Sequence, residues 1–259
     1  MRFDRTLVRI RERSFPDLLD LAVVVTRHRF RVIAPAAIAG IAPFALLNAW
    51  IASHPNSELL LLWLIPLEAP WATAPITLVM AGLMFGENIS PWRIALRILK
   101  ALPTLLFYQF FLRGIFVFVF ILSPLIPARM AFMNEVILLE RDGWYKGFKR
   151  VGTLCERRGG DLFGQFLSLS LASAVFIGCF YAGSGTILTV LFDVESTWDL
   201  AESSDLAGWR VQVPLWISIA FAAVVRFFSY IDQRIRIEGW EVELRLKLAG
   251  QAIEEAQRW

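Results

Sequence analysis

The chain has 259 residues, 57% of them hydrophobic and 19% charged, with a formal net charge of +3. Soluble domains are about 45 to 50% apolar, so this composition excludes an ordinary water-soluble globule. The charges are also gathered into short blocks between long apolar runs, as a bilayer imposes, because about 20 apolar residues match its hydrocarbon core.

The opening stretch MRFDRTLVRIRERS is basic but leads into no continuous apolar segment with a small-residue cleavage site. No removable signal peptide is expected, and the first span serves as its own insertion signal. Ser14-Phe15-Pro16-Asp17 then reads as a helix start, with a capping serine, a proline in the first turn and an acid at the positive end of the helix dipole. That helix places Leu18, Leu21, Ala22 and Val25 on one face. Two apolar spans follow, at about 32–52 and 59–85, the second interrupted by Pro66, Pro70 and Pro75.

Ser90-Pro91 opens a second amphipathic helix with Arg93, Arg97 and Lys100 on one side and Trp92, Ile94, Leu96 and Leu99 opposite. The next apolar block, Thr104 to Leu139, holds 36 residues. As one helix it would run roughly 54 Å, against a hydrocarbon core of about 30 Å. Ser123-Pro124-Leu125-Ile126-Pro127 supplies a break, so the block divides into a span at about 104–122 and a shorter returning one at about 128–139. A third basic helix, about 143–158, carries Lys146, Lys149, Arg150, Arg157 and Arg158. Spans at about 162–184 and 211–230 complete the set. The stretch at about 231–257 alternates apolar and charged residues with the period of a strand, but its helix-forming composition and its lack of a partner strand predict a cytoplasmic helix.

Lysine and arginine set the topology. Eight precede residue 32, three lie between 86 and 103, six between 140 and 161 and five after 230. By the positive-inside bias all four flanks are cytoplasmic, which requires an even number of crossings. The connections at 53–58 and 193–210 hold only Arg210 at one edge, and the second is acidic. The expectation is an all-α polytopic bundle: one integral membrane domain over residues 1–259, about six spans, basic interfacial helices and both termini cytoplasmic, in a cell inner membrane. The pattern of a basic helix followed by a membrane hairpin occurs three times, in composition and not residue by residue, which leaves an internal duplication open.

Five ionisable residues lie within or at the ends of these spans: Glu68, Arg113, Arg129, Glu135 and Arg226. Each costs about 2.5 to 3.5 kcal/mol at the bilayer centre on insertion scales, so they should face protein or water. Glu68 sits among prolines that free backbone carbonyls, as in the broken helices that line transporter sites, and Arg113 is its natural partner. The alternative is a packing pair of Glu68 with Arg113 or Arg226. Arg129 and Glu135 are six residues apart, too far for helical pairing, and Arg226 is expected to snorkel to the inner interface.

Two cysteines, Cys155 and Cys179, at different depths predict no disulfide. Two histidines flanking the first span predict neither a metal nor a cofactor site. No GxSxG, HExxH or phosphate-binding glycine loop occurs, so no catalytic residue is assigned. The expected partners are the bilayer, anionic lipids against the basic helices, and other membrane proteins. Nucleic acid is not expected.

The segment Glu135-Val136-Ile137-Leu138-Leu139-Glu140-Arg141, followed by the basic helix from Gly143 to Arg158 and a new span, resembles the membrane-domain proteins grouped around the glycerophosphodiester phosphodiesterase membrane domain and related six-span families. The run from Tyr230-Ile231-Asp232-Gln233-Arg234 through Gly239-Trp240-Glu241-Val242-Glu243-Leu244 is similar to the end of many such bacterial proteins. The resemblance covers most of the chain in layout. It implies a six-helix membrane protein without assigned activity, sometimes an accessory to a catalytic domain. The acids and histidines of a phosphodiesterase metal site are not found, so hydrolysis is not implied. The first functional expectation is a non-enzymatic membrane module or scaffold supporting envelope or lipid handling. The second is a transporter or channel with a polar site around Glu68 and Arg113.

Overall fold

The computed structural model describes residues 13–54, 58–85, 90–108, 130–140, 144–156, 158–193 and 208–238. Among these residues the protein is all-helical, with eight α-helices and no strand. They are α1 Phe15–His28, α2 Phe30–Ala52, α3 Glu58–Phe85, α4 Pro91–Phe107, α5 Met133–Leu139, α6 Trp144–Cys155, α7 Gly159–Phe192 and α8 Trp209–Glu238.

Four of them, α2, α3, α7 and α8, are long and apolar enough to cross a membrane. They divide into an inner and an outer pair. Of the most apolar window in each, 61% is buried in α3 and 50% in α8, against 17% in α2 and 11% in α7. The outer helices therefore leave most of that apolar surface uncovered by the rest of the protein, as helices facing lipid can, since an apolar side chain there needs no protein partner. α2 buries only Ile33, Gly40 and Asn48, one residue about every two turns, along the line that meets α3. Gly40 is required there: a Cβ at this position would collide with the Ala72 carbonyl oxygen of α3. α7 spans 34 residues, roughly 51 Å at 1.5 Å per residue, and its main packing partner is α8.

The amphipathic helices seal one end of the bundle. α1 begins at the expected capping serine, and Asp17 completes a capping box: Ser14 Oγ accepts from the Asp17 amide while the Asp17 carboxylate accepts from the Ser14 amide. Its buried face is Leu18, Ala22 and Val25, and it lies against α8 and α2. α4 starts at the Ser90 cap and continues through Pro103 to Phe107. α6 turns Val151, Leu154 and Cys155 inward at helical spacing and leaves Lys146 and Lys149 exposed. α5 is seven residues long, roughly 10 Å, and every residue from Met133 to Leu138 is buried. It packs on α3, α4 and α6 as the core of that end. Beside it, the Phe132 and Tyr230 rings lie 5.9 Å apart.

A polar network ties these pieces together. The Arg13 amide donates to Asp232 Oδ1 at 2.8 Å, and Arg236 donates to the Arg13 carbonyl at 2.7 Å. Arg158 lies 3.8 Å from Asp232, and Gln233 donates to the Leu154 carbonyl at 2.8 Å. Glu140 accepts from both Arg150 and the Tyr230 hydroxyl. The start of α1, the end of α6 and the end of α8 are thus on one side of the bundle.

Of the expected spans, 104–122 and 128–139 lie partly outside the described residues. The C-terminal helix expected from 231 is described to Glu238, where it is an unbroken continuation of α8; residues 239–259 lie outside.

Candidate functional site

Polar groups inside the bundle form two separate pairs. In the first, Asn48 on α2 donates through Nδ2 to Glu68 Oε2 on α3 at 2.9 Å. Both side chains are buried, and Asn48 Oδ1 and Glu68 Oε1 each lack a hydrogen-bond partner among the described residues. In the second, Arg226 on α8 donates through Nε to Glu135 Oε1 on α5 at 2.5 Å. Arg226 Nη2 also reaches Thr73 Oγ1 on α3 at 3.4 Å, while that hydroxyl donates to the Ala69 carbonyl at 2.8 Å. The expected snorkelling of Arg226 is not what the structure shows: the guanidinium turns inward because α5 brings a carboxylate from 91 residues away in sequence.

Beside the second pair lies a cavity of about 790 Å³ between α3, α5, α7 and α8. Two pins hold α7 against α8 and leave room between them. At one end, buried Arg210 donates to the Tyr181 carbonyl at 2.8 Å and stacks over the Tyr181 ring at 3.8 Å. At the other, the Ser229 hydroxyl donates to Gln165 Oε1 at 2.8 Å. The pins are 19 residues apart along α8, roughly 28 Å. Small residues on the facing surfaces, among them Ser173, Ser218 and Ala222, leave the space between unfilled.

The lining is graded. Near the Arg210 pin it is mostly apolar, with Trp63, Ile65, Ile177, Leu215 and Ile219 beside the hydroxyl of Ser218. Toward the Ser229 pin the polar groups Thr73, Asn134, Arg226, Ser229 and Gln165 come in among Phe132, Leu162 and Phe166. Asn134 Nδ2 donates to the Pro70 carbonyl at 3.1 Å, fixing the proline-rich stretch of α3 as part of the wall. Glu68 is not in the lining. Pro66, Ala69, Pro70 and Thr73 turn one face of α3 to the cavity, and Glu68 projects from another face toward α2.

Arg113 and Arg129 lie outside the described residues, so of the five expected site residues the structure joins Glu135 to Arg226 and places Glu68 elsewhere. The participants missed from sequence are neutral: Asn48, Thr73, Asn134, Gln165 and Ser229. Their signal was available as amides and hydroxyls inside apolar runs, which a search for ionisable residues passes over. Both cysteines are free. Cys155, in interfacial α6, has its thiol pushed up to about 11 by burial, which makes it a poor nucleophile.

No family model, curated protein or solved structure matches this chain. Function has to be read from the cavity. Its largely apolar wall and few convergent polar groups are the usual build of a small-molecule site, and its walls are membrane-type helices.

Proposed function

We propose that the chain is a non-enzymatic module of a cell inner membrane that handles lipid, holding the apolar part of a membrane amphiphile between α3, α5, α7 and α8. The carrying observation is the graded 790 Å³ cavity. A packing scaffold has no need of such a space, since each void forfeits dispersion contacts. The resemblance to the glycerophosphodiester phosphodiesterase membrane-domain group agrees with an accessory role near lipid chemistry. A polar transport path through Glu68 draws no support from the cavity, whose wall excludes that residue.

The test is to purify the protein in a mild non-ionic detergent and count retained lipids by native mass spectrometry, for the wild type and Ala222→Trp. The indole should fill the space and remove the retained amphiphile. Equal retention by two folded proteins would sink the assignment.

We further propose six crossings with both ends cytoplasmic. The shared side of α1, α6 and α8 supports an even number, and the length of the 104–139 block favours two passes over none. In a background with both cysteines replaced by alanine, Asn56→Cys and Ser203→Cys should react with an impermeant maleimide from outside. Ser14→Cys and Gln251→Cys should react only after permeabilisation; the reverse pattern would invert the topology.

A further inference from the structure

We infer that the amphiphile carries an anionic head, a phosphate or carboxylate, and that Arg226 is the residue that selects it. This rests on the reading of the cavity as an amphiphile site and adds the chemistry of the head group.

Arg226 is placed to act in two directions. Its Nε is engaged by Glu135, whose side chain is fully buried behind the wall, whereas 30% of the Arg226 side chain remains exposed. Because Arg226 lines the cavity, that exposed part faces it. A guanidinium has five N–H donors in a planar fork. Glu135 takes one, Thr73 receives a long bond from Nη2 at 3.4 Å, and Nη1 has no partner among the described residues. The remaining edge suits a bidentate phosphate or carboxylate. Glu135 acts as a positioning residue: its bond to Nε fixes the plane of the fork and prevents the side chain from extending to the interface.

The grading of the wall sets the ligand's orientation. α3 and α8 run in the same direction here, since Thr73 meets Arg226 while Trp63 and Leu215 lie together toward the other end of the cavity. From Leu215 to Arg226 is 11 residues, roughly 16 Å along the helix axis. An alkyl chain along this stretch meets Ile219, Ile177 and Leu215, and its head lies at the level of Arg226, with the Ser229 and Gln165 pin beyond. Among the described residues no lysine or second arginine lines the cavity, so there the preference for an anion depends on Arg226. A free inorganic anion would satisfy the guanidinium but leave the apolar stretch empty, which is why the amphiphile is favoured over phosphate alone.

The experiment measures binding of dodecyl phosphate, dodecanoate, dodecyltrimethylammonium and inorganic phosphate to protein in nanodiscs made of neutral lipid. The comparison is between the wild type, Arg226→Gln and the double variant Glu135→Gln with Arg226→Gln. The double variant removes both charges together, so no buried carboxylate is stranded and a folded comparison is secured. The wild type should bind the two anionic amphiphiles about tenfold or more tightly than the cationic one, as expected for hydrogen bonds to a charged group. Both variants should lose that preference and retain chain binding. A preference that survives in the double variant overturns the assignment of Arg226. Equal binding of all amphiphiles by the wild type overturns the anionic head while leaving the cavity reading intact. Inorganic phosphate binding as tightly as dodecyl phosphate overturns the amphiphile in favour of a free anion. If no amphiphile binds and Ala222→Trp changes nothing, the cavity reading itself fails.

Discussion

The two buried carboxylates of this bundle are in opposite situations. Glu68 sits where an outer helix meets an inner one, sealed between α2 and α3 with the neutral Asn48 amide donating to it. Glu135 sits on the short core helix α5, paired with a cation whose other edge faces a cavity. Both are expensive residues to place inside a membrane. At Glu68 the polar contact joins two helices and touches nothing else that could bind, whereas at Glu135 it orients a guanidinium toward open space. An intramembrane charge is thus evidence of function only when its partner also faces a volume that a ligand can occupy.

The sharpest way to break the comparison is to remove one member of each pair. Glu135→Leu leaves Arg226 without its carboxylate, and losing one partner of a buried pair costs about 3 to 5 kcal/mol. The lower figure applies here because the cavity partly exposes the guanidinium. Removing both charges with Glu135→Leu and Arg226→Met should recover most of that loss, since a pair of charges is often replaced by apolar groups at little cost. Thermal unfolding in detergent would show this as a large fall in Tm for the single variant and a near-return for the double. A double variant as unstable as the single would mean that the pair is not a unit.

The contact that carries Glu68 can be tested through its backbone. At Gly40 the helices approach so closely that an added Cβ meets the Ala72 carbonyl oxygen, a backbone atom that cannot swing aside. Gly40→Ala should therefore push α2 away from α3 and lower stability by about 1 to 3 kcal/mol, the range for overpacked interiors. It should leave the Arg226-dependent binding preference unchanged, because α2 contributes nothing to the cavity lining. Loss of that preference in a folded Gly40→Ala protein would couple the two regions and undo the distinction.

Much of this architecture is legible in the sequence because membranes and helix ends are governed by local rules. Ser14 with Asp17, and Ser90 with Pro91, mark helix starts whose caps the structure forms. The prolines of α3 suggest a broken, site-forming stretch; α3 instead runs as one helix from Glu58 to Phe85, but its face carrying Pro66 and Pro70 does line the cavity. The identities of the polar pairs were not legible. Arg226 meets a carboxylate 91 residues away, and no periodicity within either segment encodes that meeting. Asn48 carries no charge, so nothing local distinguishes it from an amide at a helix end. The continuation of α8 to Glu238 depends on Asp232 and Arg236 finding Arg13. Those contacts make a helix of a stretch whose alternation also fits a strand.

The smallest expected effect is the most specific to the first pair. Asn48 Nδ2 donates to one oxygen of Glu68, leaving Asn48 Oδ1 and Glu68 Oε1 buried without partners among the described residues. Glu68→Gln replaces a carboxylate, which only accepts, by an amide that both accepts and donates. The new Oε1 can keep the bond from Asn48 Nδ2 while the new Nε2 donates to Asn48 Oδ1, so two facing amides satisfy each other. One added buried hydrogen bond contributes about 0.5 to 1.5 kcal/mol, and the variant should melt above the wild type. Asn48→Ala should move in the other direction, because it strips Glu68 of the bond that holds it. A Glu68→Gln protein that instead loses amphiphile binding while staying folded would show that the carboxylate serves the site from behind its wall, and the separation of the two pairs would fail.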